Sequence, residues 1–382
     1  MTGLRVPERW TRSRVKHLVR SMRAGDAITV DAIEQAGEYA VYGANGVRGF
    51  TSRRTHVGTH VLIGRQGALC GNVHLVNGEF WASEHAIVAT PLANVDERWL
   101  AALLRVMNLG QYSTSAAQPG IGVGQIAPLH VYVPPPDEQR AIADYLDDET
   151  AQIDALVAKQ GEFIQLLRER RSAIADAEFQ PSVGKRNATI RQTLIRLERR
   201  PVPGLGVVTA YRDGVVTLRA NRRADGYTMS ASEAGYQGVM PGDIVFHALD
   251  GFAGAVGISD SEGQCSPVYH VCASRNDVNA EYLALLIRYM GTSGFLSTQA
   301  PSTRQRSVDF RNWKTFARVP LMLPPIERQN SFVTEYHEQT SRIDALIAKA
   351  EEHIALAKER RSALITATVT GQINVRTARK AS

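Results

Sequence analysis

Two stretches of the chain carry apolar residues at three- and four-residue spacing over unusual length. In the first, Ile153, Leu156, Val157, Ile164, Leu167 and Ile174 recur; in the second, Ile343, Leu346, Ile347, Ile354, Ala357 and Leu364 take matching positions. Such spacing lays one wide apolar stripe along an α-helix. Each stretch opens on prolines followed by acids, PPPDEQ (Pro134–Gln139) and PPIERQ (Pro324–Gln329). Proline is tolerated in a first helical turn and carboxylates favour the positive end of the helix dipole, so both openings read as helix starts. Gly371, in TVTGQI, reads as a stop. The pattern predicts two helices of roughly 40 residues, about 60 Å long at 1.5 Å per residue.

The letters repeat as well as the pattern. IDALVAK (Ile153–Lys159) returns as IDALIAK (Ile343–Lys349), and RERRSA (Arg168–Ala173) as KERRSA (Lys358–Ala363). One inserted residue between the proline opening and the IDAL core is read as the only slip. Before each helix lie glycine-broken strand patterns and a short helix ending in Met107 or Met290. The unit is therefore a globular domain followed by a long helix, written twice. The expected domains are 1–133, 134–180, 181–320 (with the linker Phe179–Gly206 at its start) and 321–382. Two copies of one unit favour a pseudo-two-fold arrangement. The expected fold is α+β: two globular α/β domains joined by two long antiparallel helices that form a coiled coil. Ile153, Leu156, Ile164, Leu167 and Ile174 would face Ile343, Leu346, Ile354 and Leu364 across it.

Charge sharpens this picture. The whole chain is +6 with a pI near 9.3. Pro134–Ala177 holds five Lys/Arg against ten Asp/Glu, and Pro324–Thr370 six against seven, so the basic excess lies outside the helices. That is the distribution of a nucleic-acid reader with acidic or neutral struts. Three scattered cysteines, Cys70, Cys265 and Cys272, form neither a disulfide framework nor a zinc site, and suit a reducing cytoplasm. No apolar run is long enough to span a bilayer, and the N-terminus lacks the apolar core of a secretory signal.

With these motifs the sequence resembles the specificity (S) subunit of type I restriction–modification systems. The matching residues are the two proline openings, both IDAL cores, both ERRSA exits and VTGQI (Val369–Ile373). In the first half, VYGANGVRGF (Val41–Phe50), VLIGRQGALCGNVH (Val61–His74) and FWASEHAIV (Phe80–Val88) resemble one class of target recognition domain. The resemblance implies recognition of a bipartite, asymmetric target in double-stranded DNA. It also implies two modification (methyltransferase) subunits that bring S-adenosylmethionine, and optional restriction subunits that bring ATP hydrolysis with Mg²⁺. Three departures stand out. The first helix ends AEFQPSV (Ala177–Val183) without VTG, the second opens ERQ where the first has EQR, and the second half lacks YGANG and a counterpart of VPERW (Val6–Trp10).

Candidate DNA contacts follow from residue chemistry. Asn45-Gly46 is a tight-turn signal expected to present Tyr42 and Arg48 on a loop. Arg65, Gln66 and Asn72 sit among glycines and supply the forked donors and acceptors that distinguish bases in the major groove. Arg53 and Arg54 are expected phosphate contacts. In the second half the candidates are Arg222, Arg223, Arg304, Gln305, Arg306, Arg311 and Lys314. Glu84 beside His85 fits a strand end better than an acid–base pair, and His247 and His270 read as structural. No Walker motif, Asn-Pro-Pro-aromatic tetrapeptide or metal-nuclease core is present, so the chain is expected to recognise DNA without chemistry or cofactors of its own. The competing readings are a coiled-coil tether that binds no DNA, the specificity subunit of a methylation-only system, and a stand-alone enzyme with an unfamiliar site.

Overall fold

The computed structural model describes residues 6–113, 119–180, 184–202, 204–222, 235–275, 277–300 and 308–378. Two compact units are present: Met1–Gly161 with Glu351–Ser382, and Glu162–Ala350. Each unit thus contains part of both long helices, which run Pro136–Phe179 and Ile326–Val369.

In the first unit, an antiparallel four-stranded sheet has the order Val19–Ala24, Ala86–Pro91, His60–Gly64, Val73–Val76. The strand HVLIG is buried along its whole length because both faces are covered. Val61 and Ile63 face a core built on helix Glu97–Val106, whose Trp99, Leu100 and Leu104 are fully buried. Leu62 faces a smaller core with Phe80, Ala82 and Val88. That core is shared with a second sheet of order Gly46–Thr51, Tyr39–Gly43, Glu79–Ala82, His56–Val57. A two-stranded ribbon, Thr11–Arg14 with His130–Val133, leads into the first long helix.

The second unit follows the same plan. Its sheet runs Leu194–Arg196, Tyr269–Ser274, Ile244–His247, Val256–Ile258, and helix Ala280–Thr292 covers one face. The ribbon Arg186–Thr189 with Pro320–Leu323 leads into the second long helix.

One glutamine joins helix to domain in each unit. Gln139 Nε2 donates to Pro134 O (2.9 Å) and its Oε1 accepts from Asp96 N (3.0 Å). Gln329 repeats both contacts, with Pro324 O (2.8 Å) and Asn279 N (3.0 Å). Asp96 and Asn279 are themselves the N-caps of the short domain helices. These matching roles correct the expected slip: the two glutamines, like both ends of the helices, lie a constant 190 positions apart, and no residue is inserted. The position that differs is Glu138 against Arg328. Glu138 accepts from Trp10 Nε1 (3.3 Å) and pairs with Arg9 (2.8 Å), whereas Arg328 pairs with Glu178 (2.7 Å).

Within each unit the helical segments run antiparallel. Asp154 and Glu149 meet Arg361 and Arg360 in the first unit; Arg171 and Glu178 meet Asp344 and Arg328 in the second. The two repeated motifs are therefore each other's partners, the aspartate of IDAL pairing with the second arginine of ERRSA (3.0 and 2.8 Å). The buried seam holds Ile153 and Ala357 in the first unit and Ile164, Leu167, Ile343 and Ala350 in the second, and Ile354 and Leu364 of the first unit and Ile174 of the second are half-buried. Leu156 and Leu346 were expected in it but are 47% and 45% exposed. The reason is geometric: a two-helix contact uses a seam of two positions in seven, narrower than the stripe the apolar letters outline.

The helix ends explain two of the departures. The second helix stops at Val369, and Gly371 has φ +78°, the left-handed conformation of a glycine C-cap. A Cβ there would lie 2.6 Å from Pro7 Cδ, so VTGQI and VPERW fit each other. In the second unit Phe179 ends the helix instead and packs edge-on against Tyr282 and Phe332.

Candidate nucleic-acid interface

In the first unit, the loop 65–72 leaves the C-terminal end of strand His60–Gly64. Gly64 has no room for a side chain, since a Cβ would stand 2.1 Å from Ala44 O; this close approach seats the loop against the turn at Ala44–Asn45. Gly71, at φ +86°, similarly meets Gly110. Asn72 Nδ2 donates to Asn45 Oδ1 (2.7 Å), so two candidates from separate segments meet. Gln66 Oε1 lies 2.9 Å from His85 Nδ1, and His85 Nε2 lies 3.2 Å from Glu84. Arg65 donates to Glu84 O (3.2 Å). Asn45, Arg65, Gln66, Asn72, Glu84 and His85 thus form one polar surface at the edge of the domain, with Asn45 and Gln66 exposed. It offers amides, a guanidinium and an imidazole, the groups that discriminate base edges.

Two candidates stand differently from expectation. Tyr42 and Arg48 lie on the strands Tyr39–Gly43 and Gly46–Thr51, not on a loop, because the pairing of Gly43 with Gly46 shortens the turn to Ala44–Asn45. Arg48 is exposed and lies across Gly43. Tyr42 is half-buried against Phe80 (5.5 Å, edge-on), which makes it a core residue of the second sheet.

Ion pairing separates the candidate arginines. Arg54 is held by Glu79 (2.7 Å) and lies over Tyr39; Arg222 is held by both oxygens of Asp213 and lies over Tyr211; Arg311 is clamped by Asp309 (2.7 Å). Each brings its own counter-charge, which lowers its worth as a phosphate contact. Arg48, Arg53 and Arg65 pair with no carboxylate among the described residues, and Arg53 lies over Trp81 (5.7 Å). Lys314 is exposed. Arg223, Arg304, Gln305 and Arg306 lie outside the described residues.

The equivalent loop of the second unit, 248–255, follows His247. Its backbone matches the first: Ala248 N bonds to Val268 O and Ala248 O accepts from Phe310 N, as Arg65 does with His85 and Ile121. Its side chains do not match. Here stand His247, edge-on to Tyr269, and Asp250 paired with Arg212 (2.9 Å). Burial holds the His247 imidazole below its ordinary pKa, with Asp250 opposing. Arg212 and Asp250 were missed in the sequence; aligning IVFH with VLIG would have found Asp250, whereas Arg212 comes from a distant turn that only the fold brings to it. His270 is a core residue, donating to Phe310 O (2.7 Å) and stacked on Phe316. Burial pushes the Cys265 and Cys272 thiols up to about 12, so both behave as small apolar groups. Among the described residues no group of His, Cys, Asp and Glu could hold a metal, and no helix is long and apolar enough to cross a membrane.

Residues 7–162 match the family model described as Type I restriction modification DNA specificity domain. That span falls, but for its last residue, in the first unit. Asn45, Arg65, Gln66, Asn72, Glu84 and His85 all lie in the matched span, and the resemblance read from the sequence is borne out. Among curated proteins, the chain is 42% identical over 133 residues to the type I restriction enzyme EcoprrI specificity subunit of Escherichia coli. That match spans 34% of this chain and 33% of the relative. It is 21% identical over 332 residues to the E. coli EcoDI specificity subunit, covering 76% of this chain and 71% of that one. Two solved structures share the fold. One, from work on complex assembly and conformational transition of the type I R-M system, gives a TM-score of 0.72 at 14% identity over 97% of this chain and all of that one. The HsdS subunit from Thermoanaerobacter tengcongensis gives 0.57 at 15%, over 97% of this chain and 99% of that one. The α+β fold with two sheet-rich domains and long helices is therefore that of HsdS-type chains.

Proposed function

We propose that the chain is the specificity subunit of a type I restriction–modification complex and reads a bipartite, asymmetric target in double-stranded DNA, one part per unit. The observation that carries this is the pair of equivalent loops: one backbone framework presents Arg65, Gln66 and Asn72 in the first unit and, in the second, Asp250, which follows His247 at the strand end and is paired with Arg212 from a separate turn. Identical side chains would read identical half-sites; these cannot. Phosphate contacts set affinity and base contacts set sequence. The uncompensated Arg48 and Arg53 suit the first role, and the Arg65–Gln66–Asn72 loop the second.

The helices hold two modification (methyltransferase) subunits, which bring S-adenosylmethionine, and optional restriction subunits bring ATP hydrolysis and Mg²⁺. Exposed leucines at repeated positions support a two-copy partner. Leu156 and Leu356 are 47% and 55% exposed in the first unit, and Leu166 and Leu346 are 62% and 45% exposed in the second. Each unit thus offers one leucine of each repeated pair. The chain itself performs no catalysis and works in the cytoplasm. The test is to map methylated adenines in a genome carrying the complete system with Arg65→Ala. Loss or relaxation of one half-site with the other intact is expected; uniform loss over unrelated sequences would make Arg65 a phosphate contact.

A further inference from the structure

At the opposite end of strand His60–Gly64 from the reading loop, about 13 Å along it at 3.3 Å per residue, the two sheets of the first unit part around a crevice of about 200 Å³. Arg20, Ser21, Arg23, His56, His60 and Thr90 line it, and no carboxylate is among the residues that do. Consecutive side chains of a regular strand point to opposite faces, yet Arg20 and Ser21 both reach this crevice. The cause is a β-bulge: Val19 pairs with Pro91 and Ser21 with Thr90, which leaves Arg20 as the extra residue. Bulges of this kind re-aim a side chain. Arg23 shares the face of Ser21 by ordinary alternation.

The wall of the crevice is fixed by a chain of hydrogen bonds. Ser21 Oγ donates to Thr90 Oγ1 (3.1 Å), Thr90 Oγ1 meets His60 Nδ1 (3.1 Å), and His60 Nε2 donates to Val57 O (3.1 Å). His60 is thereby used up. His56 is stacked flat on Phe80 (5.5 Å), and its Nδ1 meets Thr55 Oγ1 (2.7 Å). His56 Nε2 and the guanidinium groups of Arg20 and Arg23 have no hydrogen-bond partner among the described residues.

We propose that this crevice is an oxyanion site, in which Arg20, Arg23 and His56 Nε2 converge on one phosphate group. Three donors and two permanent positive charges, with no acid among the lining residues, match a tetrahedral oxyanion in number and sign. Burial holds His56 below its ordinary pKa, followed by repulsion from His60 and Arg23, with Asp26 opposing. A bound anion would relieve that repulsion and raise it. The source is either free phosphate or a phosphodiester of the DNA backbone; the second case rests on the function proposed above.

The test uses the full chain with isotope-labelled histidine, titrated with inorganic phosphate at constant ionic strength and followed by NMR. A saturable shift of the His56 ring, with the exposed His17 unmoved, is expected, together with an upward move of the His56 titration midpoint. Arg20→Ala and Arg23→Ala should each weaken phosphate roughly tenfold, as loss of a charged hydrogen bond does. No saturable shift, or an unchanged one in the double variant, overturns the site. A second arm measures duplex DNA binding against salt. A slope lowered by about one to two in the double variant makes the ligand a backbone phosphodiester; an unchanged slope with intact phosphate binding assigns free phosphate. If the wild-type chain binds no duplex at all, the DNA reading fails and the phosphate titration still decides the site.

Discussion

Replacing Gln139 with leucine tests the joint between helix and domain. The side chain is 2% exposed, and leucine fills nearly the same volume, so the change removes hydrogen bonds without opening a cavity. It orphans Pro134 O, which is buried, and Asp96 N, which is half-buried. A buried polar group left without a partner costs about 1–3 kcal/mol. Taking the half-buried amide at the low end, the loss is about 3 kcal/mol. At a urea dependence of about 2 kcal/mol/M, the midpoint should fall by about 1.5 M. Trp10, Trp81 and Trp99 lie in the first unit and only Trp313 in the second, so tryptophan fluorescence reports mainly on the unit that Gln139 serves. Gln329→Leu should produce a similar loss in the second unit, read by Trp313. Gln165→Leu, on an exposed helix face, should stay within about 0.5 kcal/mol. A Gln139→Leu midpoint no lower than that of Gln165→Leu would refute the joint.

Three further outcomes are expected. The pairs Asp154–Arg361 and Asp344–Arg171 are half exposed, so a double-mutant cycle on either should yield only about 0.2–1 kcal/mol of coupling; zero coupling in both would remove the ion pairs from the account of the repeat. Burial holds His270 below its ordinary pKa, so the unfolded chain takes up a proton near pH 6.5 that the folded unit refuses. That stability is intact above about pH 6.5 and is lost as pH falls below it; His270→Gln should flatten the fall in urea midpoint between pH 7.5 and 5.5, and an unchanged slope counts against the assignment. Cys265 and Cys272, buried with thiols pushed up to about 12, should resist an aromatic disulfide reagent at pH 8 in the native chain and react on denaturation; fast native labelling of either would contradict the packing.

The helices were legible because 44 residues of amphipathic sequence with proline at one end leave few alternatives. The seam within them was not, since Leu156 and Leu346 are as apolar as their buried neighbours and only the partner helix decides which letters it covers. The loops followed the same division. Asn45, Gln66 and Asn72 could be chosen by residue type, whereas the approach of Gly64 to Ala44 depends on how two segments meet. The neutralisation of Arg54 by Glu79, 25 positions away, depends on strand pairing that no local pattern reveals. Arg311 and Asp309, two positions apart, could have been paired from the sequence. Tyr42 misled because alternation in Tyr39–Gly43 gives it a face without saying that the first sheet, through Leu62 and Val88, covers that face. The bulge at Arg20 leaves no trace in the letters, because any residue can occupy it.

The repeated motifs also explain why the helices kept their spelling while the domains diverged. In each unit the aspartate comes from IDAL of one helix and the arginine from ERRSA of the other. A change in one copy of IDAL therefore disturbs a contact with the opposite copy of ERRSA, and the same holds for the buried positions that alternate along the seam. The glutamines extend this constraint to the first turn, where each must satisfy a carbonyl on its own proline opening and an amide at the cap of its own domain helix. The loop side chains make contacts that differ between the units, so no repeated contact ties one copy to the other. Loops 65–72 and 248–255 are fixed by backbone hydrogen bonds and by Gly71 and Gly254 at positive φ, which leaves the other positions free to change without cost to the framework. A scaffold constrained by its own repeat and loops whose framework is set by their backbone are what the two unlike reading surfaces proposed above would require.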